Sequence, residues 1–369
     1  MSLLRVGVLG CASIAWRKML PALTGHPGVA VVALASRAPE KAARFTARFG
    51  GEAVTGYDRL LARGDLDAVY LPLPAALHAE WVERALEAGV HVLAEKPLAT
   101  TAKDAEHLVA LAAERRLALF ENFMFRCHSQ HAAVREAVAT GAIGTVRSLT
   151  AEFTIPAPAP GDMRYDPEVG GGALLDIGVY PVRTALDFLG EDGDVAGATL
   201  NVDARLGVDV GGSAVLTGPA GRTAHVTFGM RHGYRSRYEL TGEQGRITAL
   251  WAYTPPAGHA PVIRIESGTG IEERTLPPDD QFAAVVRRFV SRVRDGAPSD
   301  LEGRAIVAQA GLVDRIRQRA VLLPDPGCQA DRASPPAGSG RPGSARPKPT
   351  VISNHGSASY AGPPTVRAR

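Results

Sequence analysis

Near its start the chain carries the stretch RVGVLGCASIA, residues 5–15. The apolar run at its beginning predicts a β-strand, and the residues after it have helical spacing. Between the two lies Gly10, which permits a tight turn, while the small Ala12 and Ala15 let the backbone approach a pyrophosphate. This G-x-A-x-x-A pattern is a variant of the dinucleotide-binding fingerprint, in which the pyrophosphate lies at the N-terminus of a helix. Because an ordinary strand–turn–helix also fits the motif, the neighbouring segments decide.

Residues 1–122 are predicted to form an α/β domain of the Rossmann type, with a doubly wound parallel sheet that binds NADP. Strand-like runs alternate there with helical segments of about 10–15 residues, a rhythm typical of a parallel sheet with helices on both faces. The predicted strands are Arg5–Leu9, Val29–Ala35, Ala68–Leu71, His91–Ala94 and Leu117–Phe120. The predicted helices are Ile14–Leu23, Pro39–Phe49, His78–Ala88 and Lys103–Arg115.

Residues 123–323 are predicted to form an α+β domain for substrate binding and oligomerisation, with a largely antiparallel, open-faced sheet. Its predicted strands are Thr145–Ile155, Ala214–Leu216, Thr223–Phe228, Tyr238–Thr241, Arg246–Trp251 and Val262–Ile265. Its predicted helices are His131–Thr140, Ala173–Leu189, Gln281–Asp295 and Glu302–Arg319. Residues 324–369 are rich in Pro, Gly, Ser and Arg, so they are expected to be a disordered tail, because such a composition buries too little apolar surface to offset the entropy of ordering.

The composition excludes several classes of protein. A net charge of +3, from 41 basic and 38 acidic residues, does not indicate a nucleic-acid binder. The three cysteines, Cys11, Cys127 and Cys328, have no paired spacing, which argues against a disulfide framework and against a metal site. No apolar run approaches the ~20 residues that span a bilayer. The apolar run before Cys11 is also too short for a signal peptide, so a cytoplasmic protein without a membrane partner is expected.

The end of the second predicted strand carries Ser36 and Arg37. NAD enzymes usually place an acidic residue there to bind the ribose 2′-OH. A hydroxyl and a guanidinium suit a 2′-phosphate instead, because arginine offers phosphate a fork of donors. We therefore expect NADPH to be preferred over NADH, although a surface Ser-Arg turn is the alternative interpretation.

Lys96, in the sequence Glu95-Lys96-Pro97, follows another predicted strand. Ligands of open parallel sheets bind at the carboxyl ends of the strands, so this lysine is expected to face the cofactor. Desolvation lowers the pKa of a buried lysine and makes it a better proton donor at neutral pH, so Lys96 is a candidate general acid. Pro97 restricts the loop and is compatible with a cis bond. An exposed lysine after a strand is the alternative.

A third group of candidates lies on the helix that follows Gly170-Gly171-Gly172. Asp176 and Tyr180 are four residues apart, so they share one helix face. A carboxylate and a phenol that face one cleft can form a polar network with a carbonyl substrate. The alternative is an ordinary pair on a helix surface.

The chain resembles the Gfo/Idh/MocA oxidoreductase family over roughly residues 4–320. The motifs that carry the resemblance are the Gly10 turn, Leu71-Pro72-Leu73-Pro74 with His78, Glu95-Lys96-Pro97, and GGGALLDIGVY at residues 170–180. Many family members have histidine in place of Tyr180, so this chain resembles the subgroup that uses tyrosine.

Within the family, the chain is similar to the sugar 3-ketoreductases of antibiotic deoxysugar pathways. These enzymes reduce dTDP-3,4-didehydro-2,6-dideoxy-α-D-glucose at C3 with NADPH. The similar stretches lie in both predicted domains, at residues 19–23, 45–51, 78–81, 121–125, 153–156, 161–165 and 227–230.

The resemblance implies a role for individual positions. Lys96 would donate the proton to the carbonyl oxygen, and Tyr180 would assist it. NADP would be lined by Gly10, Cys11, Ala12, Ser13, Ile14, Ala15, Trp16, Ser36, Arg37, Tyr57, Leu73, His78, Arg164 and Asp176. A nucleotide-linked keto-sugar would contact Arg17, Tyr234 and Thr254. Purely structural roles for His78, Tyr57 and Tyr234 remain open, as a helix cap, a packing residue and a surface aromatic of the sheet.

Two other functions stay open. Related family members act on free sugars such as D-xylose or on dihydrodiols, and a few sense the dinucleotide without catalysis. The family also implies a homodimer or homotetramer. We expect the open face of the second sheet to be apolar and to form that interface, because an exposed apolar face is a natural contact surface.

Overall fold

A six-stranded parallel sheet forms the first part of the chain in the computed structural model, which describes residues 2–296 and 300–325. Its strands follow the order β3-β2-β1-β4-β5-β6. They are β1 (Leu4–Leu9), β2 (Val29–Ser36), β3 (Glu52–Thr55), β4 (Ala68–Leu71), β5 (His91–Glu95) and β6 (Leu119–Asn122). The order reverses between β1 and β4, and the carboxyl ends of strands at such a switch point form a crevice for ligands. The predicted doubly wound parallel sheet is confirmed.

Five helices accompany this sheet. They are α1 (Leu20–Thr24), α2 (Pro39–Phe49), α3 (Tyr57–Leu61), α4 (His78–Glu87) and α5 (Ala102–Arg115). Strand β3 and helix α3 were not predicted, because they are only 4 and 5 residues long and too short for a clear apolar period. The helix predicted from Ile14 to Leu23 is instead a π-helical turn, Ala15–Met19, followed by α1.

A second, nine-stranded sheet follows in the described residues, in the order β14-β13-β12-β11-β7-β10-β9-β8-β15. Only the β7–β10 and β8–β15 pairs are parallel, so the predicted largely antiparallel sheet is confirmed. The strands are β7 (Val146–Thr154), β8 (Asp194–Asp203), β9 (Val208–Thr217), β10 (Thr223–Gly229), β11 (Arg235–Gly242), β12 (Gly245–Leu250), β13 (Val262–Ser267), β14 (Gly270–Thr275) and β15 (Ala320–Pro324). The strands β8, β14 and β15 were not predicted.

Helices cover one face of the second sheet. They are α6 (Ser129–Ala139), α7 (Val179–Leu189) and α9 (Asp300–Arg319). A further helix, α8 (Gln281–Asp295), packs mainly against the turn at Met124–Cys127 and against α1. On this face Leu149, Phe153 and Tyr238 are buried. One hydrophobic cluster continues from here into the first sheet, where the Phe120 ring lies 6.3 Å from that of Phe289. The division of the chain into domains at residues 122 and 123 therefore stays a prediction.

The opposite face of the second sheet is polar, so the expected apolar open face is wrong. Residues that alternate with the buried ones include Thr150, Glu152, Arg237 and Glu239, which are exposed or half-buried. Arg237 Nε donates to Glu152 Oε2 at 2.5 Å across two neighbouring strands. Such cross-strand pairs stabilise a solvated face, which explains why apolar side chains are not needed there.

The predicted start of the tail at residue 324 is wrong, because this residue belongs to a strand. Pro324 ends strand β15, which pairs with β8, and Asp325 accepts a hydrogen bond from Arg231. The run Ala-Val-Leu-Leu that precedes Pro324 adds an edge strand, and the proline at its end was interpreted as the start of the tail. Residues 326–369 of the predicted tail lie outside the described residues. None of the helices that the structure describes is long and apolar enough to cross a bilayer.

Candidate active site

The Gly10 turn lies at the carboxyl end of β1, beside the segment that follows β4. Gly10 has φ of +120°, a conformation that other residues rarely adopt, and a Cβ added there would lie 2.8 Å from Leu73 Cδ2. Leu73 therefore packs directly over the turn and requires a glycine beneath it. Ala12 is half-buried and Ser13 is exposed, which leaves the backbone before the helix open to a ligand. These residues fit the pyrophosphate of a dinucleotide at a helix N-terminus.

Beside the turn, the end of β2 is basic. Ser36 is buried and its Oγ accepts the Ala38 amide hydrogen at 3.2 Å, which leaves its hydroxyl hydrogen available. The guanidinium of Arg37 lies near the Tyr57 hydroxyl and interacts with it electrostatically. Burial raises the pKa of the Tyr57 hydroxyl, and the charge of Arg37 opposes that rise. The arrangement fits a phosphate on the ribose better than it fits a free hydroxyl.

Helix α2 adds basic residues to this region that were not predicted. Lys41 interacts with the thiol of Cys11, whose pKa burial raises to about 11. Arg44 and Arg48 stack on the ring of Trp16, with centroid distances of 4.8 and 4.6 Å. Because α2 covers the Trp16 ring, this residue supports the turn through packing. The spacing of residues 37, 41, 44 and 48 is a helical stripe that could have been read from the sequence.

His78 lies beneath the cleft. It is 1% exposed, and its two ring nitrogens lie 2.6 Å from the Pro97 carbonyl oxygen and 2.7 Å from that of Leu73. Burial lowers the pKa of this histidine, and the two carbonyl oxygens oppose that effect. His78 therefore ties the loop over Gly10 to the loop that carries Lys96. This contact replaces the alternative of a helix cap, whereas the predicted lining of NADP by His78 stays a prediction.

Lys96 occupies the carboxyl end of β5 and points toward the second sheet. Its side chain is 11% exposed. Nζ donates to the backbone carbonyl oxygen of Asp176 at 2.7 Å and to its Oδ1 at 3.0 Å. The Lys96–Pro97 peptide bond is cis, as the sequence allowed. The structure thus brings together two residues that are 80 positions apart.

The other carboxylate oxygen of Asp176 binds a second cationic side chain. Arg164 Nε donates to Asp176 Oδ2 at 2.5 Å, and Arg164 is itself paired with Asp162 at 3.2 Å. Burial raises the pKa of the Asp176 carboxyl, but the charges of Lys96 and Arg164 outweigh burial and hold this pKa well below its ordinary value. Asp176 is therefore a permanent carboxylate that positions Lys96. Asp162 was not predicted as part of the site.

Tyr180 shares the helix face of Asp176, as predicted, but presents its ring to the lysine. Lys96 Nζ lies 5.3 Å from the ring centroid, a cation–π distance. The hydroxyl donates to Met124 Sδ at 3.7 Å, and the expected network with a carbonyl substrate stays a prediction. Burial raises the pKa of this hydroxyl well above its ordinary value, and the charges of Glu95 and Asp176 add to the rise. Tyr180 therefore remains protonated at neutral pH.

Glu95 forms a second buried polar group behind Lys96. Its Oε1 accepts hydrogen bonds from the Tyr70 hydroxyl and from Asn122 Nδ2, both at 2.7 Å. Burial raises the pKa of the carboxyl, while these donors and the charge of Lys96 oppose the rise. The sequence motif contains Glu95, but its partners come from the distant strands β4 and β6 and were not predicted.

The three predicted substrate residues lie toward one side of the cleft. Tyr234 is hydrogen-bonded to Thr254, with 3.0 Å between the hydroxyl oxygens. Arg17 is exposed and lines a groove of about 480 Å³ together with Pro255, which directly follows Thr254. The structure therefore places Arg17 near the segment that carries Thr254, with room between them for a ligand.

Two family models match this chain. A model of an oxidoreductase family with an NAD-binding Rossmann fold matches residues 4–123, and a GFO/IDH/MocA C-terminal domain model matches residues 131–248.

Similar proteins are known from several organisms. The dTDP-3,4-didehydro-2,6-dideoxy-alpha-D-glucose 3-reductase of Actinomadura kijaniata is 52% identical over 317 residues, which cover 86% of this chain and 96% of the relative. The crystal structure of KijD10, a 3-ketoreductase from Actinomadura kijaniata, in complex with NADP and TDP-benzene, matches with a TM-score of 0.85 and 51% identity over 88% of this chain and 100% of that chain. The D-xylose 1-dehydrogenase (NADP(+)) 2 of Haloferax volcanii is 33% identical, over 85% of this chain and 96% of the relative.

Proposed function

The chain belongs to the Gfo/Idh/MocA oxidoreductase family, and we propose that it reduces the C3 carbonyl of a dTDP-3,4-didehydro-2,6-dideoxy-α-D-glucose-type sugar nucleotide with NADPH. The observation that carries this proposal is the shielded Lys96 ammonium, which Asp176 holds at the carboxyl end of β5. A relative that is 52% identical and is named as the 3-reductase of this sugar supports the choice of substrate.

NADPH supplies the hydride when it is bound. The Gly10 turn binds the pyrophosphate through backbone amides, and Ser36 with Arg37 binds the 2′-phosphate. Leu73 closes the turn from above, and His78 holds the Leu73 loop in place. The chain's task is to position the nicotinamide beside the carbonyl carbon and to provide an acid.

Lys96 provides the proton. As C3 accepts hydride, the carbonyl π electrons move to oxygen, and the proton from Lys96 Nζ converts this oxygen to a hydroxyl. Lys96 is left as a neutral amine, which regains a proton from water. Asp176 cannot supply that proton, because its pKa lies well below neutral; it orients the ammonium instead. The Tyr180 hydroxyl serves as a second donor to the same oxygen once it turns from Met124.

The test is a kinetic assay. The 3,4-diketo-2,6-dideoxy sugar nucleotide, which is generated in situ, is supplied with NADPH, and the loss of NADPH absorbance is followed with NADH run beside it. Turnover that requires NADPH and fails with free sugars is expected. Reduction of NADP by D-xylose, without turnover of the sugar nucleotide, would indicate instead a free-sugar dehydrogenase like the Haloferax volcanii relative. Tight NADP binding without turnover of any carbonyl would indicate a dinucleotide sensor.

The quaternary structure and location are part of the proposal. A homodimer or homotetramer is proposed from the family to which the chain belongs, not from the sheet face, which is polar. Light scattering of the purified enzyme measures the assembly. A cytoplasmic location is consistent with Cys11 and Cys127, which are free thiols; Cys328 lies outside the described residues.

A further inference from the structure

Trp251, which directly follows strand β12, has a left-handed backbone conformation. Its φ is 53°, a value that bulky L-residues rarely adopt. Such a conformation persists only where the surroundings fix it, and it occurs preferentially at ligand sites. Trp251 has no role among the residues that the sequence indicated, and its conformation and ring position therefore point to a further one.

Buried polar side chains fix the backbone on both sides of Trp251. Three side chains that are each less than a tenth exposed form one hydrogen bond apiece with the backbone of this segment: Gln130, His131 and Ser236. The contacts are Gln130 Nε2 to the Leu250 carbonyl oxygen (2.8 Å), His131 Nε2 to the Ala252 carbonyl oxygen (2.7 Å) and the Tyr253 amide to Ser236 Oγ (3.0 Å). The core therefore holds the chain in a turn that places the Trp251 ring away from the interior.

The indole belongs to a half-buried aromatic ledge, formed by Tyr234, Trp251 and His259. The Trp251 ring centroid lies 5.3 Å from that of Tyr234 and 5.5 Å from that of His259. Tyr234 is in turn hydrogen-bonded to Thr254. Flat aromatic surfaces that keep one side open are suited to stacking with a planar ligand.

Trp251 of the ledge belongs to a segment, residues 251–257, that contacts the reaction centre at Tyr253 and lines the groove at Pro255 and Ala257. Tyr253 is buried, and its ring centroid is 5.6 Å from that of Tyr180. Trp251 is only two residues away, and two residues span at most about 7 Å. In the other direction the same segment continues to Pro255 and Ala257, which line the groove with Arg17. A substrate whose carbonyl lies at Lys96 and whose other end extends toward this groove passes the ledge.

We propose that Trp251 is the stacking platform for the base of the nucleotide-linked substrate. The inference rests on the proposed function, because only a nucleotide-linked sugar brings a base to the site. The indole is rigid, so its large face becomes ordered at little entropic cost. A base of any kind can stack on it, because every base has a π-face. Trp251 therefore makes the enzyme select nucleotide-linked sugars over free sugars.

The test uses dTDP as the ligand and calorimetric titration of the NADPH-bound enzyme. Trp251→Ala is expected to raise the Kd of dTDP by roughly 5- to 100-fold, the range for loss of base–aromatic stacking. Trp251→Phe keeps an aromatic face and should restore most of the affinity. The matched control is Leu250→Ala, since Leu250 is the preceding residue and is 49% exposed. The Kd of dTDP for this variant should equal that for the wild type.

Inorganic pyrophosphate separates stacking from general damage, because it lacks a base. Its affinity should be the same in the wild type and in Trp251→Ala. If the variant loses affinity for dTDP and pyrophosphate equally, or binds dTDP as the wild type does, Trp251 does not stack on the base. The proposed function is unaffected by that result. If the wild type does not bind dTDP yet oxidises a free sugar, the proposed function fails and the platform fails with it.

Discussion

Glu121 of β6 and Arg183 of α7 form an ion pair that is closed to solvent, with 3.4 Å between Oε2 and Nη1 and side-chain exposures of 2% and 1%. The other oxygen of Glu121 accepts the amide hydrogen of Leu98 at 2.8 Å, two residues after Lys96. Arg183 lies three residues after Tyr180 on the same helix. The pair therefore connects the loop of the candidate proton donor to the helix of the candidate tyrosine.

Removal of Arg183 should destabilise the fold strongly. Arg183→Met leaves the Glu121 carboxylate buried without its cation, a change that typically costs about 3–5 kcal/mol. The free energy of unfolding from urea titration measures this. In the double variant Glu121→Gln/Arg183→Met neither charge of the pair remains, and the neutral amide still accepts the Leu98 amide hydrogen. Most of the lost stability should return, and a double variant as unstable as Arg183→Met would contradict the account.

Lys96→Ala should lower kcat by ~10²–10⁴, the usual contribution of a positioned general acid. The Kd of NADPH should stay unchanged, since the binding turn is formed by other residues. The matched control is Lys103→Ala, a lysine on the exposed side of α5, which should leave kcat unaltered. A Lys96→Ala enzyme with nearly wild-type turnover would remove Lys96 from the proton-donor role.

Arg37→Ala should weaken the binding of NADPH while the affinity for NADH stays the same. A hydrogen bond to a charged group contributes about 1.5–3 kcal/mol, so a Kd increase of about tenfold or more is expected. Arg115→Ala on α5, also an exposed arginine, serves as the control for a general change in charge. Equal losses of affinity for NADPH and NADH would show that Arg37 does not bind the 2′-phosphate.

The lowered pKa of the Asp176 carboxyl leads us to expect a particular pH dependence of the free energy of unfolding. Its folded pKa lies well below the unfolded value of about 3.9, so its contribution is complete above the unfolded pKa and is lost as the pH falls toward the folded one. The difference in unfolding free energy between the wild type and Asp176→Asn should therefore be constant down to about pH 5. It should shrink only below about pH 4. A difference that disappears between pH 7 and 5 would contradict this assignment. Urea titrations at each pH provide the data.

The sequence was sufficient for the parts of the site that depend on local pattern. The Gly10 turn and Lys96 follow apolar strands, and the carboxyl ends of parallel strands share one edge, so their common location follows from topology alone. The resemblance placed Asp176 only beside the cofactor; its contact with Lys96 was not predicted and forms because the segment before α7 meets the loop after β5.

Other features depend on contacts that no local pattern records. The Tyr180 hydroxyl meets Met124, a residue 56 positions away, so its direction could not be read from helical spacing. The polarity of the open sheet face was also mispredicted, because alternation along one strand does not show which charges will meet across strands. Glu152 and Arg237 become partners only in the register of β7 with β11.

Gly10→Ala should impair NADPH binding for two separable reasons, a φ of +120° and a Cβ only 2.8 Å from Leu73 Cδ2. Gly89→Ala is the control, because Gly89 also has a positive φ, +76°, but a Cβ there would meet no atom within 4 Å. Both variants carry the backbone penalty, and only Gly10→Ala carries the steric clash. Adding Leu73→Val shortens the clashing side chain, so Gly10→Ala/Leu73→Val should bind NADPH more tightly than Gly10→Ala alone. If fluorescence titration finds no gain in the double variant, the contact with Leu73 is not what requires a glycine at this turn.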